Sequence, residues 1–244
     1  APQTIECDLD ALAPKIRTHI DHTRVTCSLK DKADALRLLV ERGGVQIKIE
    51  LSPVLRGTVF KPEVVAVSEA VEDEFGFAEM AVVSFADLYA GKICAALDRQ
   101  HPRELFDVKQ LLDTEGLTAD LRKALLVYII SHPRPIAELL RPNLKDITDV
   151  YEGEFRNMAD QDIPQADLEA TREQLISLIN TSLTPQERAF LLSFKSRTPD
   201  WTLLGLSNVD QLPAVRWKLQ NLARMTPEKH TAAYLRLKET LAIE

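Results

Sequence analysis

FAEMAVVSFADLYAGKICAALDRQHPRELFDVKQLLDTEG, running from Phe77 to Gly116, reads as a strand, a helix, a tight turn and a second helix. Ala81, Val82 and Val83 make a short apolar run that suits a buried strand. Ser84 follows as an N-cap, its side-chain oxygen placed to accept a bond from an orphan helical N–H. Phe85, Leu88, Tyr89, Ala96 and Leu97 then recur at helical spacing. Gln100 and His101 interrupt the pattern, and Pro102 restarts it at a first-turn position where no N–H is needed. Leu105, Val108, Leu111 and Leu112 form the apolar stripe of the second helix, and Gly116 stands where a left-handed C-cap is expected.

The polar residues of this hairpin carry the chemistry. Lys92, Ala95 and Arg99 lie three, four and seven apart, so they share one helical face, and the small Ala95 leaves room between two cations. Arg103 and Asp107 are four apart and share a face of the second helix. A short turn would let Lys92, Arg99, Arg103 and Asp107 converge. Such a cluster suits a phosphate chain, with arginine forks supplying geometry and lysine a point charge. The plainer alternative is a solvated Arg–Asp pair worth about 0.2–0.5 kcal/mol, beside a lysine that snorkels.

Written out from Lys92 to Asp107, the segment is K-x-x-A-x-x-x-R-x-x-x-R-E-x-x-D. It resembles the helical signature of the AbiEii/AbiGii toxin family of nucleotidyltransferases, whose pattern has R-D where this chain has Arg103-Glu104. The flanking SFADLYAGKI and LFDV are also similar to the family. The similarity runs from about the first hairpin to roughly Asp149 and is weaker beyond.

The bulk composition is that of an ordinary globular chain. It has 244 residues, 45% hydrophobic and 27% charged, enough for one large or two smaller domains with a real core. A net charge of −7 gives no global attraction for nucleic acid, so any RNA contact must be local. Cys7, Cys27 and Cys94 are odd in number and lack metal-site spacing, which fits reduced thiols. With no apolar run near 18 residues and no signal-like N-terminus, the reading is a cytoplasmic protein without a membrane partner.

Leu9, Leu12, Ile16 and Ile20 predict an N-terminal helix, in which Pro14 is awkward unless it lies in the first turn. Asp8 and Asp10 mimic the family's metal-binding Asp-x-Asp but lead into a helical pattern, and read as capping and first-turn charge. Strands are predicted at Arg24–Leu29, Ala35–Val40 and Val45–Leu51, with Gly43 and Gly44 in a hairpin turn. Val45, Ile47, Ile49 and Leu51 point one way; Gln46, Lys48 and Glu50 point the other. Residues 52–76, with Pro53, Gly57 and Pro62, read as a connector leading to the Ala78–Val83 strand, which would close a sheet of four or five strands. Everything beyond Ser84 is helical in pattern, including Thr184-Pro185-Gln186-Glu187, a capping box with proline at the first helical position. His132 reads as a C-terminal helix cation. Arg216, Lys218, Arg224, Lys229, Arg236 and Lys238 make the C-terminal end locally basic, either a solvated face or an RNA contact.

The expected fold class is therefore α+β: a small mixed or antiparallel nucleotidyltransferase-like sheet followed by a helical C-terminal region. Its expected parts are a β-rich portion at 1–83, the signature helices at 84–160 and a helical subdomain at 161–244.

The resemblance implies magnesium-dependent transfer of a nucleotide from a nucleoside triphosphate to an RNA, a tRNA among them, or to a protein acceptor. It also implies a toxin of a type IV toxin–antitoxin system, whose cognate antitoxin acts indirectly. Lys92, Arg99 and Arg103 would bind the nucleotide. Lys92 and Asp107 would be catalytic, together with Glu50 on the I-K-I-E-L strand, which would also be the metal ligand or general base. The family's Gly-Gly/Gly-Ser turn and strand-borne Asp-x-Asp pair are not found in these residues. Magnesium binding by this chain alone is therefore expected to be weak or absent. Either a further N-terminal segment belongs to the working protein, or the chain is a catalytically inactive relative acting as a protein- or RNA-binding module.

Overall fold

The computed structural model describes residues 2–28, 37–50, 56–160 and 162–242, with side chains from Leu9 onward. They fall into two compact units, Ala1–Leu55 and Arg56–Glu244.

The first unit is a helix on a three-stranded antiparallel meander. α1 (Pro2–His19) precedes β1 (Arg24–Ser28), β2 (Arg37–Arg42) and β3 (Val45–Glu50), ordered β1-β2-β3. Gly43 and Gly44 turn the β2–β3 hairpin at φ 57° and 82°, a pair of positive angles that glycine adopts without steric cost. Leu9 and Ala13 of α1 are buried with Val25, Leu38 and Val40, and Leu12, Ile16 and Ile49 pack around them. Arg17 ties helix to sheet by donating from Nη2 to the Val25 carbonyl at 2.7 Å. Asp8 and Asp10 fall in the middle of α1, not in its first turn, so the capping role expected for them is not the one they have. The helix starts earlier because Pro2 occupies its first position, and Pro14 is carried inside it. On β3, Val45 and Ile47 are exposed, since the α1 stripe covers only the Ile49 end of that face. Leu29, Ala35 and Leu51 lie outside the described residues.

In the second unit, β4 (Glu63–Ala66) pairs antiparallel with β5 (Glu79–Val82) as a separate two-stranded ribbon. The single sheet of four or five strands is thus two sheets among the described residues. β5 is exposed along its length, so its apolar run is not the buried strand it resembles. The connector also contains a helix, α2 (Glu69–Phe75). Ser68 at its N-cap position and acids at Glu69 and Glu72 favour that start, and Gly76 ends it at φ 89°.

The core lies among the helices that follow. α3 (Phe85–Arg99) and α4 (Pro102–Thr114) form the hairpin, and α5 (Ala119–Ser131) packs along α3. α6 (Ile136–Leu140), α7 (Thr148–Glu154), α8 (Gln165–Ser182) and α9 (Pro185–Lys195) follow, then α10 (Pro213–Ala223) and α11 (Pro227–Thr240). Ile93, Leu97, Leu105, Leu111, Leu125 and Ile129 are among the buried residues joining α3, α4 and α5. Phe190 and Phe194 are fully buried in α9, with Trp201 against them at ring distances of 5.6 and 6.2 Å. The capping box forms as read. Thr184 Oγ1 accepts from Glu187 N–H at 3.2 Å, and the Glu187 carboxylate accepts from Thr184 N–H at 2.8 Å. Among the described residues no helix is long and apolar enough to cross a membrane.

Candidate functional site

Three local devices set the geometry of the α3–α4 hairpin. Ser84 caps α3 by accepting from the Asp87 N–H at 3.0 Å. Gln100 ends α3 in the left-handed region (φ 55°), a conformation that costs a residue with a Cβ. Its buried amide is held on both sides, donating to the Asn143 carbonyl at 2.8 Å and accepting from Lys145 N–H at 3.0 Å and Arg172 at 3.1 Å. Lys145 Nζ meanwhile donates to the Asp98 and Arg99 carbonyls, satisfying orphan acceptors at the end of α3. His101 then caps α4, Nδ1 accepting from Arg103 N–H at 3.2 Å, with Pro102 at the first helical position.

The elbow fixes which face of α3 stays open. Ala86, Ala90, Ile93, Cys94 and Leu97 are buried, whereas Leu88 and Arg99 are exposed and Lys92 and Ala95 are half-buried. Lys92 Nζ meets Asp107 Oδ2 across the hairpin at 2.5 Å, with side-chain exposures of 32% and 38%. That exposure leaves the pair reachable from solvent, so a polyanion can compete with Asp107 for the ammonium.

The two arginines are drawn elsewhere. Arg99 pairs with Glu104, whose Oε2 is buried without a hydrogen-bond partner. Arg103 donates from Nη2 to the Glu154 carbonyl at 3.1 Å and lies 3.9 Å from the Glu154 carboxylate. The hairpin thus joins Lys92 to Asp107, while Arg99 and Arg103 flank them on separate acids. Glu50 belongs to the other unit, on β3, where it pairs with Lys48 at 2.7 Å and Arg37 at 3.8 Å.

Among the described residues no group of three or more His, Cys, Asp or Glu side chains is placed to hold a metal ion. Glu50, already neutralised by two cations, is a poor ligand for a hard dication that wants several oxygen donors. The described residues do not fit a multi-carboxylate magnesium centre.

A family model described as nucleotidyl transferase AbiEii toxin, type IV TA system, matches residues 6–221. The chain belongs to this family. Membership makes it a nucleotidyltransferase-like toxin of the type IV class, which implies a nucleotide substrate and an antitoxin partner. No curated protein and no solved structure matches the chain.

Asp87 is a residue of the functional region that the sequence reading passes over. It is 1% exposed, and its carboxylate accepts from Val59 N–H at 2.7 Å, Phe60 N–H at 2.9 Å, Ser84 Oγ at 2.8 Å and Tyr128 Oη at 3.2 Å. It clamps the incoming chain to the start of α3 and so orients the helix that carries Lys92. The signal in the sequence is S-x-x-D at Ser84–Asp87, a capping-box spacing.

His132 does not serve as the helix-end cation. Burial lowers its pKa, against the opposing pull of Asp98 3.7 Å away. The cation at the end of α5 is Lys218, read from sequence as part of a basic surface but in fact buried. Its ammonium donates to the carbonyls of His132, Pro133 and Arg134 at 2.5, 3.2 and 3.0 Å.

Proposed function

We propose that the open face of the α3–α4 hairpin handles the triphosphate in a nucleotidyl transfer to RNA, with tRNA the acceptor class. A hydroxyl of the acceptor attacks the α-phosphorus of a nucleoside triphosphate and releases its proton to solvent water. The bond to the bridging oxygen breaks, and pyrophosphate leaves with the displaced charge. Lys92 supplies a fixed cation for that charge, and Asp107 holds the ammonium in place until phosphate oxygens replace it. Arg99 and Arg103, at the rim of the same face, exchange their carboxylate partners for phosphate forks. The observation that carries this reading is the half-open Lys92–Asp107 pair within a nucleotidyltransferase family match.

The test is transfer of labelled nucleotide from each of the four triphosphates, with magnesium, to tRNA and to total RNA. Loss of a fixed donor at a developing phosphate charge costs roughly 3–4 kcal/mol of barrier, so Lys92→Ala should transfer some hundreds-fold more slowly while melting like the parent. Transfer at the parental rate would make Lys92 a surface residue and remove the site.

A second reading, a catalytically inactive relative that binds RNA or protein, is favoured by one observation. The described residues lack a cluster of metal-ligating carboxylates. Under that reading the parent transfers no nucleotide with magnesium or manganese, yet Lys92→Ala weakens binding of triphosphate or RNA.

A further inference from the structure

Far along the chain from the hairpin, α6, α9, α10 and α11 enclose two hollows of about 280 and 260 Å³. Both are lined by Pro135, Ile136, Lys195 and Ala233, so they meet at Lys195. Lys195 is the last residue of α9 and only 7% exposed. Its carbonyl accepts from His230 Nε2 at 2.7 Å, but no described residue accepts a hydrogen bond from its ammonium or pairs with it. The stem is buried while the ammonium opens onto the hollows, a fixed cation, unpaired among the described residues, set where an arriving anion can meet it.

The surroundings sharpen the point. Burial, then the Arg197 charge, lowers the Lys195 pKa, and burial, then the Lys195 charge, lowers that of Lys218. Lys218 is committed to three carbonyls, and Arg236, on the first hollow, to Glu138. Lys229 also lines that first hollow. The second hollow offers Trp217, a 48% exposed indole, beside Leu222 and Met225. One side is therefore cationic and the other aromatic and apolar.

We propose that this double hollow binds a phosphate-bearing nucleotide residue, with the phosphate on Lys195 and Lys229 and the base against Trp217. Each hollow is near the lower end of the usual range for a small-molecule site, about 300 Å³, so a single nucleotide residue spanning both is the size that fits. Stacking on an exposed aromatic accepts any base, so the site selects for phosphate more than for base identity. The nucleotide residue is either a free nucleoside monophosphate or the phosphorylated end of an RNA.

The experiment follows tryptophan fluorescence of the whole chain during titration with AMP, UMP, adenosine and inorganic phosphate. A short RNA, with and without a 5′-phosphate, is then added as competitor. AMP and UMP should quench the signal saturably and to similar extents, with adenosine about tenfold weaker. Lys195→Met should weaken AMP by about tenfold while keeping the side-chain volume, and Trp217→Phe should remove the quench but not calorimetric binding. Should Lys195→Met fold poorly, Lys229→Ala gives the same comparison at a more accessible position. Competition by phosphorylated RNA better than by AMP assigns the site to an RNA end; weaker competition assigns it to the free nucleotide. Lys92→Ala should leave the quench unchanged, so failure here is distinct from failure of the hairpin site. Adenosine binding as well as AMP, or parental AMP binding by both lysine variants, would overturn the proposal.

Discussion

Replacing Asp87 by alanine tests how the hairpin is held in place. The carboxylate is buried and accepts four hydrogen bonds, two of them from the Val59 and Phe60 backbone. Truncation leaves those two N–H groups and the Tyr128 hydroxyl without an acceptor. An orphaned buried donor costs about 1–3 kcal/mol, and Val59 and Phe60 are only half-buried, so water recovers part of it. A loss of about 3 kcal/mol is expected, which for a unit of this size lowers Tm by roughly 6–12 °C. Asp87→Asn keeps one acceptor oxygen but turns an amide N–H₂ towards the backbone donors, so it should fall between alanine and the parent. The assay is thermal unfolding at neutral pH, followed by circular dichroism. Asp113→Ala is the control: its exposed pair with Lys109 at 2.7 Å is worth less than about 1 kcal/mol. If Asp87→Ala melts within about 2 °C of the parent, the carboxylate is not the clamp, and residues 59–60 are held by the packing of Val59 and Phe60 instead.

Three further outcomes are expected. A double-mutant cycle on Lys92 and Asp107 should show a coupling of about 0.5 kcal/mol in stability, because the pair is half-open, and a coupling above about 2 kcal/mol would mark a buried structural network. His132 has a pKa lowered from 6.5, so below pH 6.5 the unfolded chain takes up a proton that the folded chain resists. The stability this group contributes is present above pH 6.5 and is lost as pH falls towards its folded pKa. Melts from pH 7 downward should show that loss in the parent and a flatter profile in His132→Gln; parallel profiles would contradict the assignment. Burial pushes the Cys94 thiol up to about 12, whereas Cys27 is exposed. Iodoacetamide at pH 8 should therefore alkylate Cys27 and spare Cys94 in the native chain, read by peptide mass spectrometry, and rapid labelling of Cys94 would show that α3 opens readily.

The helical part of this protein was legible from local chemistry alone. Ser84, Pro102, Gly116 and the Thr184–Glu187 box act through bonds within a few residues of themselves, so their reading transferred to the structure unchanged. The Lys92–Asp107 contact was legible for the same reason, because two helical faces joined by a two-residue elbow leave few ways to pair them. Tertiary structure decided what depends on partners distant in sequence. The Ala81–Val83 run has the pattern of a buried strand, yet periodicity says nothing about which strand pairs with which, and β5 found only β4 among the described residues. Arg99 and Arg103 are equally cationic on paper; their partners, Glu104 and Glu154, were settled by the elbow and by where α7 ends. Lys218 reads as surface charge in a basic stretch, and no local pattern singles out Lys195 at all. Whether a lysine is solvated or buried depends on the helices that close over it, and here those come from residues 132–137 and 227–237, which no local pattern places beside them.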